Sequence, residues 1–237
     1  MNAIDLPIIS FLNQFAGRSS TFDQLVYLIA NNYLLKSGVI IALLYWMWLR
    51  RDNGPADRRA TMIFGLFASS AAILLARLLA ASVPFRERPL RNPDLHFVIP
   101  TSMTSHTLIG WSAFPSDTAA LWFGVATCLF FVSRRAGLFA FAYVAVVVGF
   151  ARIYLGIHYP TDILAGALIG VGAVSLVLIP SLKAAVTRAP MRFLREQPQM
   201  ANTVFYLLIF IVGTTFEPVY QLGIFVLKAA KHSIGAM

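Results

Sequence analysis

The chain has 237 residues; 58% are hydrophobic, only 12% are charged, and the mean hydropathy is +0.72. A soluble domain carries about 25% charged residues, so a water-soluble globular protein is excluded and an integral membrane protein is expected. The net charge of +9 belongs with inner-face loops and lipid headgroups rather than with a nucleic-acid surface. The single Cys128 lies in an apolar run, permits no internal disulfide and leaves the redox compartment open. No basic stretch precedes a compact apolar core at the amino terminus, so no cleavable signal peptide is expected.

In chain order, residues 3–16 place apolar side chains at roughly helical spacing, with Ser10, Asn13 and Gln14 between them. The stretch is too short to span a bilayer and is expected to be a short interfacial helix. Residues 24–34 form a second short helix or extend the first span. Spanning helices are expected near 35–50, 60–82, 116–133, 137–155, 161–180 and 201–225, which makes residues 1–237 one all-α membrane domain. Trp46 and Trp48 beside Arg50 and Arg51 read as an interfacial belt. A polar segment, 84–114, and a basic segment, 183–197, connect the spans on either side of the centre. The small residues of 165–172 permit close helix packing.

Six spans put both termini on one side. The loops after the first, third and fifth spans hold Arg50, Arg51, Arg58, Arg59, Arg134, Arg135, Lys183, Arg188, Arg192 and Arg195, ten of the nineteen Lys and Arg residues. By the positive-inside rule these loops are cytoplasmic. Segment 84–114, the start of the third span and the corner at 152–162 then share the outer face.

Each of those three segments carries chemistry. Pro84-Phe-Arg-Glu-Arg-Pro-Leu-Arg91 presents Arg86, Arg88 and Arg91 on a face where orientation does not favour positive charge, which points to anion binding or to lipid headgroups. Phe114-Pro-Ser-Asp-Thr118 opens the third span with Ser116 as a helix cap and Asp117 in the first turn. Amides at such a helix start can hold phosphoryl oxygens. Ala151-Arg-Ile-Tyr-Leu-Gly-Ile-His-Tyr-Pro-Thr-Asp162 places Arg152, His158 and Asp162 between two apolar runs, where ionisable residues are costly. An imidazole beside a carboxylate is an oriented nucleophile or base, and a guanidinium is a fork for phosphate.

The pattern Arg-x5-His-x3-Asp at 152–162 resembles the third signature of the type 2 phosphatidic acid phosphatase superfamily, in wording similar to its bacterial membrane branch. Residues 60–180 carry the resemblance. It implies that His158 attacks phosphorus, that Asp162 orients His158, and that Arg152 binds phosphoryl oxygens. Arg88-Pro89 resembles the end of the first motif, Lys-x6-Arg-Pro, which makes Arg88 a phosphate ligand; the lysine position falls on Ala81, and Arg86 is a candidate to replace its charge. Pro115-Ser-Asp-Thr118 resembles the second motif, Pro-Ser-Gly-His, or its bacterial variant Pro-Ser-Asp-His. Thr118 stands where the family has its general-acid histidine, and a threonine cannot serve as an acid near neutral pH.

The resemblance implies hydrolysis of a lipid phosphate or diphosphate, a polyprenyl diphosphate by preference, at the outer face of a bacterial inner membrane. Phosphotransfer between lipid carriers, and lipid binding without catalysis, are the two alternatives. His106, in the loop before the third span, is a candidate substitute acid; His96 and His232 have no supporting constellation. Glu217 is expected to pair with a basic residue such as Arg77. No metal-ligand spacing occurs, so neither a metal nor another cofactor is expected, and the partners expected are the lipid substrate and membrane lipids.

Overall fold

The computed structural model describes residues 3–50, 55–104 and 108–215. The chain is all-helical there, with no strand among the described residues. Two short helices, α1 (Asp5–Asn13) and α2 (Ser20–Asn31), precede α3 (Leu34–Leu49), which is bent by 60° from α2. Then follow α4 (Pro55–Ser82), a long polar loop with short 3₁₀ turns at Pro89–Arg91 and Pro93–Leu95, and α5 (Asp117–Val132). The chain continues through α6 (Arg134–Tyr154), α7 (Pro160–Leu178), α8 (Pro180–Glu196) and α9 (Pro198–Gly213).

Three of these helices are long and apolar enough to cross a membrane: Ala56–Ser82 within α4, α6 and α7. The bent α2–α3 pair makes a fourth if it is one span, and α5 and α9 are shorter apolar helices. With these apolar helices the chain is a membrane protein.

The centre of the bundle is α5. Its Leu121, Trp122, Val125, Ala126 and Leu129 are all fully buried, and α4, α6 and α7 pack around it. Between helices already in an apolar solvent, close packing replaces water expulsion as the driving force, and small residues make it possible. On α7, a Cβ on Gly166 would lie 2.2 Å from the Ser116 carbonyl oxygen, and one on Gly170 would lie 2.0 Å from that of Ala120. Glycine at these two positions therefore lets α7 lie against the start of α5. It also sets how far Ser116 stands from the corner that precedes α7.

Two sequence expectations change. Only Trp46 of the paired tryptophans is exposed, under the guanidinium of Arg50. Trp48 is buried, stacks on Phe205 at 3.7 Å and donates to Asn202 Oδ1 at 2.8 Å. Residues two apart on a helix point to opposite sides, so both could not face the interface. The basic segment 183–197 is mostly helix, α8, opened by Pro180 at its first position, where a proline fits. Its Lys183 bonds Asp57 of α4 at 2.6 Å, which places the basic segment and the start of α4 on one side of the bundle.

Candidate active site

The corner between α6 and α7 is made by three local features. Gly156 has φ +68°, and a Cβ there would lie 2.6 Å from the Phe97 ring, so both conformation and space require glycine. Its carbonyl accepts from Leu90 N–H at 3.0 Å, which ties the corner to the loop after α4. Pro160 opens α7, and Asp162 in the first turn accepts from the Tyr159 N–H at 2.7 Å. The turn between them turns His158 inward, where it is 3% exposed.

The imidazole of His158 has two polar neighbours. Its Nδ1 lies 2.7 Å from the Ala113 carbonyl oxygen, and its Nε2 lies 3.3 Å from Ser116 Oγ. A carbonyl only accepts, so Nδ1 carries the proton and Nε2 keeps its lone pair. Burial, then the charges of Arg152 and Arg88, hold the imidazole pKa well below its ordinary value. The ring is therefore neutral at neutral pH, with a free nitrogen facing the capping serine of α5. Ser116 Oγ also accepts from the Ala119 N–H at 3.3 Å, and the Ser116 N–H donates to the Asp162 carbonyl at 3.1 Å.

Asp162 stands farther from the ring than the sequence implies. Its Oδ2 is 3.7 Å from His158 Nδ1, beyond a hydrogen bond, and the nearer acceptor is the Ala113 carbonyl. The carboxylate is instead engaged by the Tyr159 amide and by Arg86, whose Nη1 bonds Oδ1. No sequence signal marks Ala113, because a backbone carbonyl serves whatever the side chain.

The two arginines of the 84–91 segment have different surroundings. Arg88 is buried and donates to three carbonyls: Ile157 at 2.7 Å, Trp111 at 3.2 Å and Ser112 at 3.3 Å. Three bonds leave two of its five donors for a ligand. Burial, then Arg152, lower its pKa to about 10, so it stays charged at neutral pH. Arg86, a candidate to replace the missing lysine, is turned the other way. Its Nη2 bonds Asp5 Oδ2 at 2.6 Å, its Nη1 bonds Thr161 Oγ1 at 2.9 Å and Asp162, and it stacks over Tyr159. Two carboxylates already hold this guanidinium, so we correct its assignment from phosphate ligand to structural ion pair.

Arg152 donates from Nη2 to Thr118 Oγ1 at 2.9 Å, while its buried Nε has no partner among the described residues. Thr118 is 4% exposed, and its hydroxyl is also 3.2 Å from Asp117 Oδ1. Asp117 Oδ1 accepts from the Thr118 N–H at 2.6 Å, and Oδ2 pairs with Arg77 Nε at 3.2 Å. Arg77 was expected opposite Glu217, which lies outside the described residues, as do His106 and His232; its partner here is Asp117. His96 is exposed in the loop after Pro93–Leu95.

Sequence reasoning passed over Asp5 and Asp23, both fully buried. Asp5 accepts from the Thr161 N–H at 2.9 Å and Oγ1 at 2.7 Å, which docks α1 on the corner. Asp23 accepts from Thr101 N–H at 2.8 Å, Gly17 N–H at 3.1 Å and the Tyr154 hydroxyl, which docks α2 on the end of α6. The signal was present: each is a carboxylate among apolar neighbours, the same cost that marked 152–162.

The described residues thus bring together a buried neutral imidazole, the buried guanidinium of Arg88, the half-buried guanidinium of Arg152 and the amino terminus of α5. Residues 81–184 match the family model described as the PAP2 superfamily, and the resemblance read from the motifs is borne out. The chain is 27% identical over 174 residues to the bacitracin transport permease protein BcrC of Bacillus licheniformis, covering 71% of this chain and 76% of that one. It is 29% identical over 181 residues to the lipid A 1-diphosphate synthase of Escherichia coli, covering 70% of each. Identity to the undecaprenyl-diphosphatase BcrC of Bacillus subtilis is 22% over 168 residues, covering 71% of this chain and 79% of that one. The crystal structure of Aquifex aeolicus LpxE shares the fold, with a TM-score of 0.50 at 23% identity over 75% of this chain and 96% of that one.

Proposed function

We propose that this protein is a membrane lipid phosphatase that removes the terminal phosphoryl group of a lipid diphosphate through a phosphohistidine on His158. The observation that carries the reading is the His158 ring. Its proton is fixed on Nδ1 by the Ala113 carbonyl, and its free Nε2 lies beside Ser116 within reach of the charges of Arg88 and Arg152. A neutral, pre-oriented nitrogen in a cationic pocket suits attack on a phosphorus whose oxygens need neutralising.

Each residue then has a role. His158 attacks. Asp162, behind the ring at 3.7 Å, balances the imidazolium that attack creates. Arg88 and Arg152 hold the equatorial oxygens, with Arg152 Nε, which has no partner among the described residues, as a further donor and Ser116 and the first amides of α5, including that of Asp117, assisting. The Asp117 carboxylate is held by Arg77 and Thr118, so its contribution to phosphate is through the backbone.

Thr118 determines the leaving group. A departing alkoxide needs a proton, since its conjugate acid is comparable with water at a pKa of about 15.7. A departing phosphate, with a second pKa of about 6, leaves as an anion. Loss of a general acid costs about 10²–10⁴-fold, a penalty that falls on monoesters. The preferred substrate is therefore a phosphoanhydride lipid such as a polyprenyl diphosphate, and the resemblance to an undecaprenyl-diphosphatase supports this. With matched lipids, kcat/KM is expected to favour the diphosphate, and Thr118→His to improve the monophosphate selectively; equal cleavage of both lipids contradicts this.

The three long helices, the bent α2–α3 pair, α5 and α9 supply six crossings of one membrane domain covering residues 1–237, in a bacterial inner membrane with the site outside. The Lys183–Asp57 pair on the basic side and the Asn92–Tyr159 bond of 3.0 Å on the site side support that orientation. In a Cys128→Ser background, Asp57→Cys and Asn92→Cys should label from opposite faces; labelling from one face contradicts six crossings.

A further inference from the structure

Arg77 stands apart from the ion pairs of the corner. It lies on α4, a little over one turn before the helix ends at Ser82, within the stretch long and apolar enough to cross a membrane. A guanidinium there is costly, yet its side chain is 54% exposed. Its Nε bonds Asp117 Oδ2 at 3.2 Å, and the guanidinium lies over the Trp111 ring at 5.5 Å. Nη1 and Nη2 have no partner among the described residues, so four of its five donors remain. The next residue after Asp117 is Thr118, whose hydroxyl accepts from Arg152 Nη2 at 2.9 Å. Two guanidiniums are thus anchored on consecutive residues at the start of α5, Arg152 beside His158 and Arg77 on α4. From Arg77 an apolar groove runs back along α4. Phe67, Ala71, Leu74 and Arg77 follow at helical spacing on one face and line a cavity of about 460 Å³, where Asp117 joins Arg77. At a rise of about 1.5 Å per residue this stripe is about 15 Å long.

We propose that Arg77 binds the phosphate next to the chain of a lipid diphosphate, and so selects diphosphates over monophosphates. This rests on the lipid-diphosphate reading above and adds a specificity residue to it. The order of groups on the protein carries the assignment. His158 with Arg152 comes first, Arg77 second and the apolar stripe of α4 third. A lipid diphosphate has the same order: terminal phosphate, inner phosphate, chain. A lipid monophosphate with its phosphate at His158 offers Arg77 no second anion. A guanidinium fork suits a phosphate through paired bonds. Asp117 is a positioning residue in this arrangement, because it holds the guanidinium by Nε alone and leaves both Nη groups to the ligand. The contact also bears on the reaction. As Nε2 of His158 bonds the terminal phosphorus, the bridging P–O bond breaks and its electron pair stays on the inner phosphate. That phosphate gains charge, so its bonds to Arg77 strengthen in the transition state.

The test uses the full chain in proteoliposomes, a prenyl diphosphate as substrate, and two inhibitors of the same chain length, a prenyl methylenebisphosphonate and a prenyl monophosphonate. The wild-type chain should bind the bisphosphonate more tightly. Arg77→Gln should lower kcat/KM for the diphosphate by about 10–100-fold, the worth of charge-assisted bonds to one phosphate. It should weaken the bisphosphonate and leave the inhibition constant of the monophosphonate near wild type, which also reports that the site is folded. Arg77→Lys should recover part of the loss, since it keeps the charge without the fork. Leu74→Trp, which fills the groove, should raise KM for a long-chain diphosphate more than for a short-chain one; an equal rise overturns the order of groups. Equal binding of the two inhibitors by the wild-type chain, or an equal effect of Arg77→Gln on both, overturns the inference. The phosphohistidine reading then stands if label from the terminal phosphate still reaches His158. If the wild-type chain neither labels His158 nor cleaves the diphosphate, both are overturned.

Discussion

The cap over the α6–α7 corner and the helical centre of this molecule hold together by opposite means. At the centre, α5 lies among α4, α6 and α7 with apolar side chains and glycine contacts such as Gly170 against the Ala120 carbonyl. In the cap, charges that are expensive to bury are buried and paired: Asp5 and Asp162 on Arg86, and Asp23 on the Thr101 amide and the Tyr154 hydroxyl. The difference shows how a helix corner can be fixed without a rigid helix beneath each residue. The ion pairs dock α1 and α2 over the corner that carries His158, whereas the centre only sets the height of Ser116.

The comparison breaks most visibly at Arg86. Arg86→Ala leaves two buried carboxylates without their cation, a loss of about 3–5 kcal/mol. Trp48→Ala, in the apolar half, costs a similar amount of about 3–5 kcal/mol through its cavity. At a temperature where both variants stay folded, only Arg86→Ala should lower kcat/KM, because only it releases the corner. Thermal unfolding in detergent and activity on one lipid diphosphate check this; equal activity in the two variants contradicts the division. Asp5→Asn combined with Arg86→Ala should recover part of the lost stability, since one uncompensated charge is then gone.

A smaller effect sharpens the same contrast through pH. His158 is the neutral member of a cationic cluster, its pKa depressed first by burial, then by Arg152 and Arg88, with Asp117 and the Ala113 carbonyl opposing. Unfolded, the ring takes its proton near the ordinary value of about 6.5. Folded, it does so only at lower pH. Between the two values the unfolded chain binds more protons, so stability rises with pH across that window. This contribution is fully present above the ordinary value and is lost as pH falls through the depressed one. The acid limb of His158 phosphorylation in single turnovers should therefore lie below the ordinary imidazole value. Arg152→Gln, which removes the largest of the charge effects, should move the limb upward; a limb unmoved by Arg152→Gln contradicts the electrostatic account.

The most legible part of the site was the part paid for in unusual residues. Arg152, His158 and Asp162 stood out because ionisable side chains are rare between apolar runs, and Ser116 because a helix start after Pro115 needs a cap. Side-chain direction was not legible. Arg86 and Arg88 lie two residues apart in the same motif, yet one meets carboxylates and the other carbonyls. That outcome depends on Asp5, some eighty positions away, and on the docking of α1. Helix α8 was hidden by its charge: Lys183, Arg188, Arg192 and Arg195 read as a loop, although Thr187 and Leu194 give the segment a buried side. Six apolar runs were legible in the sequence; among the described residues three helices, or four if the bent pair is one span, meet the length and hydropathy of a span.

The central claim is that Nε2 of His158 forms the covalent intermediate. It is tested most directly by quenching the protein in base after mixing with a lipid diphosphate labelled in its terminal phosphate, and mapping the label to a peptide. The account predicts an acid-labile, base-stable phosphate on His158, absent in His158→Gln, while His158→Gln still unfolds at close to the wild-type temperature. Label on any other residue, or steady phosphate release by His158→Gln, would contradict it.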